Sequence, residues 1–245
     1  MKAIILAAGY ATRLYPLTLN TPKALLPICG KAILDYIVEE IETIDAIDSL
    51  IVVSNEKFYK NFSDWKDASK SRLDITVLND RTTDDTNKLG AVGDIKFAID
   101  ALGIDDDLLI MAGDNIFTFK LKDYYNYYTE KNADMILAKE IHSITDLRRM
   151  ANVTLDENGR VTDMVEKPQN PKSNIAAYAA YIYKRETLPL ITKYLSEGNN
   201  PDAPGFFPSW LHKVKDVYAY IFDGDCYDIG TPDSYKEVNE IFANK

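Results

Sequence analysis

Ala3-Ile4-Ile5-Leu6-Ala7-Ala8-Gly9-Tyr10-Ala11-Thr12-Arg13-Leu14 begins with an unbroken apolar run that stops at a glycine. A short apolar run ending at a turn signal is the pattern of a strand covered on both faces, as in a parallel sheet. The small residues that follow lie at the carboxyl end of that strand, where open α/β sheets hold their ligands. Backbone N–H groups in such a loop can approach phosphate oxygens, and Arg13 adds a fixed charge with a planar donor fork. The stretch is not GxGxxG, because the next glycine is Gly30, and it is not a Walker A loop, because no GK[ST] follows.

Downstream, strand and helix patterns alternate. Gly30 to Ile44 reads as a helix with Ile33, Leu34, Ile37, Val38, Ile41 and Ile44 on one face. Leu50 to Val53 is a second buried strand, and Leu73, Ile75 and Val77 mark a third. Ala91 to Leu102 reads as a helix, and Leu108 to Ala112 as a strand that stops at Gly113-Asp114-Asn115. Past about residue 134 strands dominate, at 135–138, 152–155, 161–165 and 178–183, before helices resume at 186–195 and 231–243. Tyr124-Tyr125-Asn126-Tyr127-Tyr128 has the spacing of a helical packing face, and 199–208, with three prolines and a glycine, reads as a loop. The expected fold is α/β: a three-layer, Rossmann-like, mixed and largely parallel sheet. The expected organisation is one domain over 1–245, with a nucleotide-side half at about 1–133 and a more strand-rich half at about 134–245.

Composition narrows the function. Lys and Arg number 28 against 38 Asp and Glu, a net charge of −10, which disfavours a nucleic-acid partner. Two distant cysteines, Cys29 and Cys226, exclude a disulfide framework or zinc ribbon, and two histidines in no metal spacing disfavour a His-based relay. No apolar run approaches the roughly 18 residues of a membrane span, and the apolar N-terminus is too short for a signal peptide. A cytoplasmic protein with no membrane partner is expected. The oligomeric state stays open, a homo-oligomer included.

Ten residues after Arg13 comes Pro22-Lys23-Ala24-Leu25-Leu26-Pro27, read as an extended, stiff segment that holds Lys23 for a phosphate contact. With Gly9 to Leu14 before it and GKAILDYIVE after it, the opening of the chain resembles the sugar-1-phosphate nucleotidyltransferases. The resemblance continues through GDNIF at 113–117, VEKP at 165–168, SNIAAYAAYIY at 173–183 and YDIGTPDSY at 227–235, in family order. It is nearest to the short glucose-1-phosphate thymidylyltransferase and uridylyltransferase type, and the chain ends soon after the last block, so no β-helix extension is expected.

The resemblance implies the nucleotide-diphospho-sugar transferase fold, with a nucleotide-binding half at about 1–133 and a sugar-binding half at about 134–245, and a reaction. A sugar 1-phosphate attacks the α-phosphorus of dTTP or UTP, pyrophosphate leaves, and Mg²⁺ assists. It implies Arg13, Lys23, Asp114, Lys167 and Asp228 as catalytic residues, with Asp114 and Asp228 as metal ligands, and Asp225 is a rival for the latter place. Two carboxylates completed by phosphate oxygens and water suit Mg²⁺. Ala8, Gly9, Tyr10, Thr12 and Arg13 are implied to hold the nucleotide. Gly90 would let the base lie against the backbone, and Asn79 or Asp80 would read its edge. Asn115, Glu166, Lys167, Asn174 and Tyr178 are implied on the sugar-phosphate side. Two positions depart from the family pattern. Ala11 stands at the second glycine of GxGTR, tolerable unless φ is positive there, and Tyr178-Ala179 replaces a small residue followed by glycine. Two other readings are a cytidylyltransferase acting on phosphocholine and a catalytically silent sugar-nucleotide-binding regulator. A nicotinamide dehydrogenase is disfavoured by the missing GxGxxG.

Overall fold

The computed structural model describes residues 1–244. In chain order the elements are β1 (Lys2–Leu6), β2 (Pro27–Ile28), β3 (Lys31–Ala32), α1 (Ile33–Glu42), β4 (Ser49–Ser54), α2 (Tyr59–Ala68), β5 (Asp74–Asn79), α3 (Ala91–Leu102), β6 (Leu108–Ala112) and β7 (Asn115–Phe117). There follow α4 (Leu121–Lys131), β8 (Asp134–Glu140), α5 (Ile144–Leu147), β9 (Ala151–Leu155), β10 (Val161–Glu166), β11 (Ile175–Tyr183), α6 (Leu188–Ser196), α7 (Phe206–Leu211), β12 (Val217–Ile221), β13 (Cys226–Asp228) and α8 (Pro232–Ala243). The chain folds as two compact units. The first comprises residues 1–88, 112–122 and 224–244, and the second 89–111 and 123–223. Among the described residues no helix is long and apolar enough to cross a membrane.

The first unit carries the parallel character expected of the sheet. β1 pairs with β4 and β4 with β5, all parallel, with Ile4 opposite Ile51 and Val52 opposite Val77. Leu50 to Val53 are fully buried, as their continuous apolar run requires. Helix α1 begins at Ile33 rather than at Gly30. Cys29 and Gly30 both have positive φ, and they form the two-residue turn of the β2–β3 hairpin. The helix then buries Ile33, Leu34, Ile37, Val38 and Ile41. A second small ladder pairs β7 with β13, antiparallel, and puts Asp228 opposite Asn115.

The second unit is strand-rich, as its sequence indicates. β11 runs antiparallel to β6, β8 and β9, β10 is antiparallel to β9, and β12 is parallel to β8. The tyrosine stripe of α4 is a packing face: Tyr124 and Tyr128 are buried, and the Tyr124 hydroxyl donates to the Ala180 carbonyl at 3.3 Å. The proline-rich loop is shorter than expected, since α7 already begins at Phe206. Buried Asp134 is satisfied by Lys215 at 2.9 Å, the Thr187 hydroxyl at 2.8 Å and the Lys184 N–H at 2.8 Å.

Gly90 introduces α3 with φ +78°, and a β-carbon there would lie 2.5 Å from the Pro201 carbonyl oxygen. The N–H groups of Ala91 and Val92 are taken by Asp202 and Pro201 carbonyls, both at 2.9 Å. Both the backbone conformation and the close approach therefore require glycine. Gly90→Ala is expected to destabilise the protein by about 3 kcal/mol, a fall of about 6–12 °C in Tm for a chain of this size. Thermal unfolding checks this, and an unchanged Tm would mean that the Pro201 backbone yields freely.

Candidate active site

The Gly9 loop leaves β1 and is fastened from below. The Ala7 N–H donates to Val53 O at 3.0 Å, buried Asn55 donates through Nδ2 to Ala8 O at 2.8 Å, and buried Thr18 donates through Oγ1 to Ala11 O at 2.8 Å. Asn55 is itself held where its Oδ1 accepts the Phe58 N–H at 3.0 Å. Drawing the Ala8 and Ala11 carbonyls onto protein donors fixes the loop backbone. Gly9 is exposed, and a β-carbon there would touch nothing within 4 Å, so packing within the chain does not demand this glycine. Ala11 has φ 48° and ψ 44°, so the position does require the left-handed conformation, which the sequence could not reveal. A left-handed alanine costs about 1–2 kcal/mol, partly offset by the greater unfolded-chain entropy of glycine. Ala11→Gly is expected to stabilise the protein by about 0.5–1 kcal/mol. A chemical denaturation midpoint that falls instead would show that the alanine methyl contributes more by packing.

Arg13 sits in the single 3₁₀ turn Thr12–Leu14, anchored by buried Leu14. It is exposed, as is Thr12, and among the described residues its guanidinium has no side-chain partner. Lys23 opens another such turn, Lys23–Leu25, between extended Pro22 and Leu26. The segment expected to be wholly extended therefore contains one helical turn, closed by the Leu26 N–H on Lys23 O at 3.0 Å.

The Lys23 ammonium meets two carboxylates, Asp114 Oδ2 at 2.7 Å and Asp228 Oδ1 at 3.4 Å. The β7–β13 ladder brings these aspartates together from positions 114 residues apart in the chain. Gly113 seats Asp114 closely: its N–H donates to Leu6 O at 3.0 Å, and a β-carbon on it would lie 3.1 Å from the Ile5 side chain. Asn115, expected on the sugar phosphate, is buried. Its Nδ2 donates to Asp114 Oδ1 at 2.9 Å, and the Cys226 sulfur lies 3.7 Å from its Oδ1. Asn115 thus packs against Asp114 with its amide turned to that carboxylate. Asp225 is held differently, accepting from the Tyr227 hydroxyl at 3.3 Å while its backbone pairs with Thr118, so Asp228 is the one that shares Lys23. A cavity of about 180 Å³ in this unit is lined by Gly9, Ala11, Arg13, Lys23, Asp114 and Gly230, among others.

Among the described residues no three or more Asp, Glu, His or Cys side chains gather to hold a metal ion. Asp114 and Asp228 nevertheless converge on one cation, the Lys23 ammonium. Two carboxylates so placed fit a hard divalent ion whose other ligands are phosphate oxygens and water. The cluster's two cations and two anions cancel, so a triphosphate would need such added positive charge.

Several nucleotide-side candidates are committed within the first unit. Tyr10 is buried. Its phenol is pushed up by burial, with Thr82 opposing and Asp80, Asp84 and Asp85 adding to the shift. Asn79 donates to Glu56 at 2.7 Å and accepts the Arg81 N–H at 2.8 Å, and Asp80 accepts from the Thr82 N–H and hydroxyl at 2.7 and 2.8 Å. These hydrogen bonds shape the turn that follows β5. In the second unit the β-carbon direction of Gly90, expected to let the base lie against the backbone, is filled by Pro201.

The second unit also holds the acceptor-side candidates. Glu166 ends β10 with its side chain 9% exposed, and Lys167 Nζ, 60% exposed, lies 3.9 Å from Glu166 Oε1. Burial pushes the Glu166 carboxyl up, and Lys167 only partly opposes this. Lys167 has φ +49°, a conformation that costs a lysine and persists only where the surroundings fix it. The fixing contacts are the Lys167 N–H on Met150 O at 3.1 Å and Arg148 Nε on Gln169 O at 2.9 Å. Asn174 is exposed just before β11, and Tyr178 is half-buried with its ring edge-on to Phe222, centroids 5.4 Å apart. The two-residue alternation of β11 breaks after Tyr178. Tyr178 opposes Leu137 but Tyr181 opposes Ile136, so β11 bulges between them.

A family model described as nucleotidyl transferase matches residues 2–245. The chain belongs to the nucleotidyl transferase family. Among its relatives, the bifunctional protein GlmU of Methanocaldococcus jannaschii is 30% identical over 246 residues, covering 100% of this chain and 55% of that protein. A glucose-1-phosphate adenylyltransferase of Clostridium acetobutylicum is 26% identical, covering 97% of this chain and 66% of that protein. The chain therefore spans between about half and two thirds of these relatives' length. The crystal structure of a UDP-glucose pyrophosphorylase complexed with UDP-glucose superposes with a TM-score of 0.82 at 22% identity, covering 99% of this chain and 98% of that one. That agreement shows the Rossmann-like α/β fold of the family. The residues that carry the family resemblance lie in both units, with the Lys23 cluster in the first and Glu166-Lys167 in the second.

Proposed function

We propose that this chain is a sugar-1-phosphate nucleotidyltransferase that joins glucose 1-phosphate to UTP or dTTP and releases pyrophosphate. The observation that carries this reading is the Lys23 ammonium shared by Asp114 and Asp228, in the unit where Arg13 stands without a partner. The mutual coverage with UDP-glucose pyrophosphorylase supports the choice of a uridine or thymidine donor.

In this reading an oxygen of the sugar phosphate bonds to the α-phosphorus as the bond to the bridging oxygen breaks, and that electron pair leaves with pyrophosphate. The protein has alignment and charge neutralisation to supply, and no nucleophile of its own. The Gly9 loop offers backbone donors to the triphosphate, and Arg13 offers its fork to the departing phosphates. Asp114 and Asp228 would hold Mg²⁺, which supplies positive charge against the phosphate oxygens when bound. Lys167 meets the acceptor phosphate, and the buried Glu166 carboxylate takes acceptor hydroxyls, with Asn174 and Tyr178 beside it in sequence and role. The cytoplasm, where triphosphates are made and cysteines such as Cys29 and Cys226, which form no disulfide, stay reduced, is the compartment we assign.

The test is a pyrophosphate-release assay that crosses the nucleoside triphosphates with a panel of phosphorylated acceptors, with and without EDTA. Release with glucose 1-phosphate and UTP or dTTP, lost on chelation, is expected. Turnover confined to CTP and phosphocholine would replace the substrates, and binding of nucleotide-sugar without any turnover would make the protein a silent binder.

A further inference from the structure

Gly205 precedes α7 with φ −69° and ψ −15°, a backbone conformation open to any residue. A β-carbon built on it would nevertheless sit 2.1 Å from Glu166 Oε2, with Glu166 Cδ at 3.3 Å and Ala151 Cβ at 3.4 Å. The obstacle is the end of a flexible side chain, so a methyl group here costs the backbone nothing and acts only by moving the carboxylate. The Glu166 side chain is nine-tenths buried, and among the described residues no protein hydrogen bond reaches its carboxylate, which keeps an opening to solvent. The ionisable groups that bear on it are the Lys167 ammonium at 3.9 Å and the Tyr181 phenol. A largely buried carboxylate without protein donors takes its hydrogen bonds from water or from donors on a ligand, and ligand hydroxyl groups can supply them.

The geometry points to Gly205 as a positioning residue for the acceptor: its missing side chain is what lets the Glu166 carboxylate lie ready to accept hydrogen bonds from a polyhydroxylated phosphate. This rests on the reading above that Glu166 faces the acceptor. A glycine kept for its own backbone would show positive φ, as Gly90 does, and Gly205 does not.

The experiment is Gly205→Ala, alone and in a Glu166→Ala background, read by kinetics and by a carbon-13 NMR titration of the Glu166 carboxyl. Losing hydrogen bonds to a charged group should raise the acceptor KM by about tenfold or more in Gly205→Ala. kcat, the triphosphate KM and Tm should stay near those of the parent, which a merely structural role would not produce. In the Glu166→Ala background the same substitution should add nothing. The titration, which needs no turnover, should show the carboxyl above the ordinary glutamate value in the parent and back near it in Gly205→Ala, as the group swings toward water. An unchanged titration, or an equal KM loss in the Glu166→Ala background, overturns the positioning role. A titration that moves while Glu166→Ala leaves acceptor KM unchanged overturns instead the assignment of Glu166 to the acceptor, and with it Gly205's part in binding.

Discussion

Asp228→Asn is expected to lower kcat by about 10²-fold or more, while Asp225→Asn stays near the parent. The two aspartates are three residues apart, yet the β7–β13 ladder gives them different surroundings. Asp228 reaches the Lys23 ammonium that Asp114 also holds, whereas Asp225 accepts from Tyr227 and fastens its backbone to Thr118. The asparagine preserves shape and removes one negative charge from a place where two are needed to balance a divalent cation. Asp228 is largely exposed, so the loss should fall on turnover and leave Tm nearly unchanged. Steady-state kinetics over a Mg²⁺ series decides the matter. Equal losses in both variants, or a loss in Asp225→Asn alone, would move the ligand role away from Asp228.

Arg13→Ala is expected to cost about 10²–10³-fold in kcat/KM, with kcat falling more than KM rises. Negative charge accumulates on the leaving pyrophosphate as the bond breaks, so a guanidinium aimed there binds the transition state more tightly than the ground state. Arg13 is free for this, because among the described residues no carboxylate competes for it, while Lys23 already holds two. Arg13→Lys should recover only part of the loss, since an ammonium cannot reproduce the planar fork. A KM effect with unchanged kcat would recast Arg13 as a ground-state binder.

Long elements were legible because burial leaves a periodic trace. The strand at 108–112 and the helix at 91–102 lie where their apolar patterns put them. The β7–β13 ladder was not legible, since three-residue strands carry no period, and yet it assembles the site. Helix α2 escaped notice for a related reason: of its ten residues only Phe62 is buried, which leaves little apolar stripe. The start of α1 was misplaced because Cys29 and Gly30 form a hairpin turn through positive φ, and Cys-Gly is a weak signal for it. At the site, Arg13, Lys23, Asp114 and Asp228 were named from motifs alone. The residues that hold them were not, because Asn115, Asn55 and Thr18 act through contacts across the fold and not through any local pattern. Gly90 and Gly205 show the same limit. A β-carbon on one would meet the Pro201 backbone and on the other the Glu166 carboxylate, and in sequence the two glycines look alike.

The proposed reaction is a single displacement at the α-phosphorus, aligned and neutralised by these side chains with no protein nucleophile. The direct measurement is the stereochemical course at that phosphorus, using the α-phosphorothioate of the triphosphate that supports turnover and phosphorus-31 NMR of the nucleotide-sugar formed. Inversion of configuration is expected, with no labelled protein when the acceptor is omitted. Retention of configuration, or a covalent nucleotidyl-protein trapped without acceptor, would contradict it.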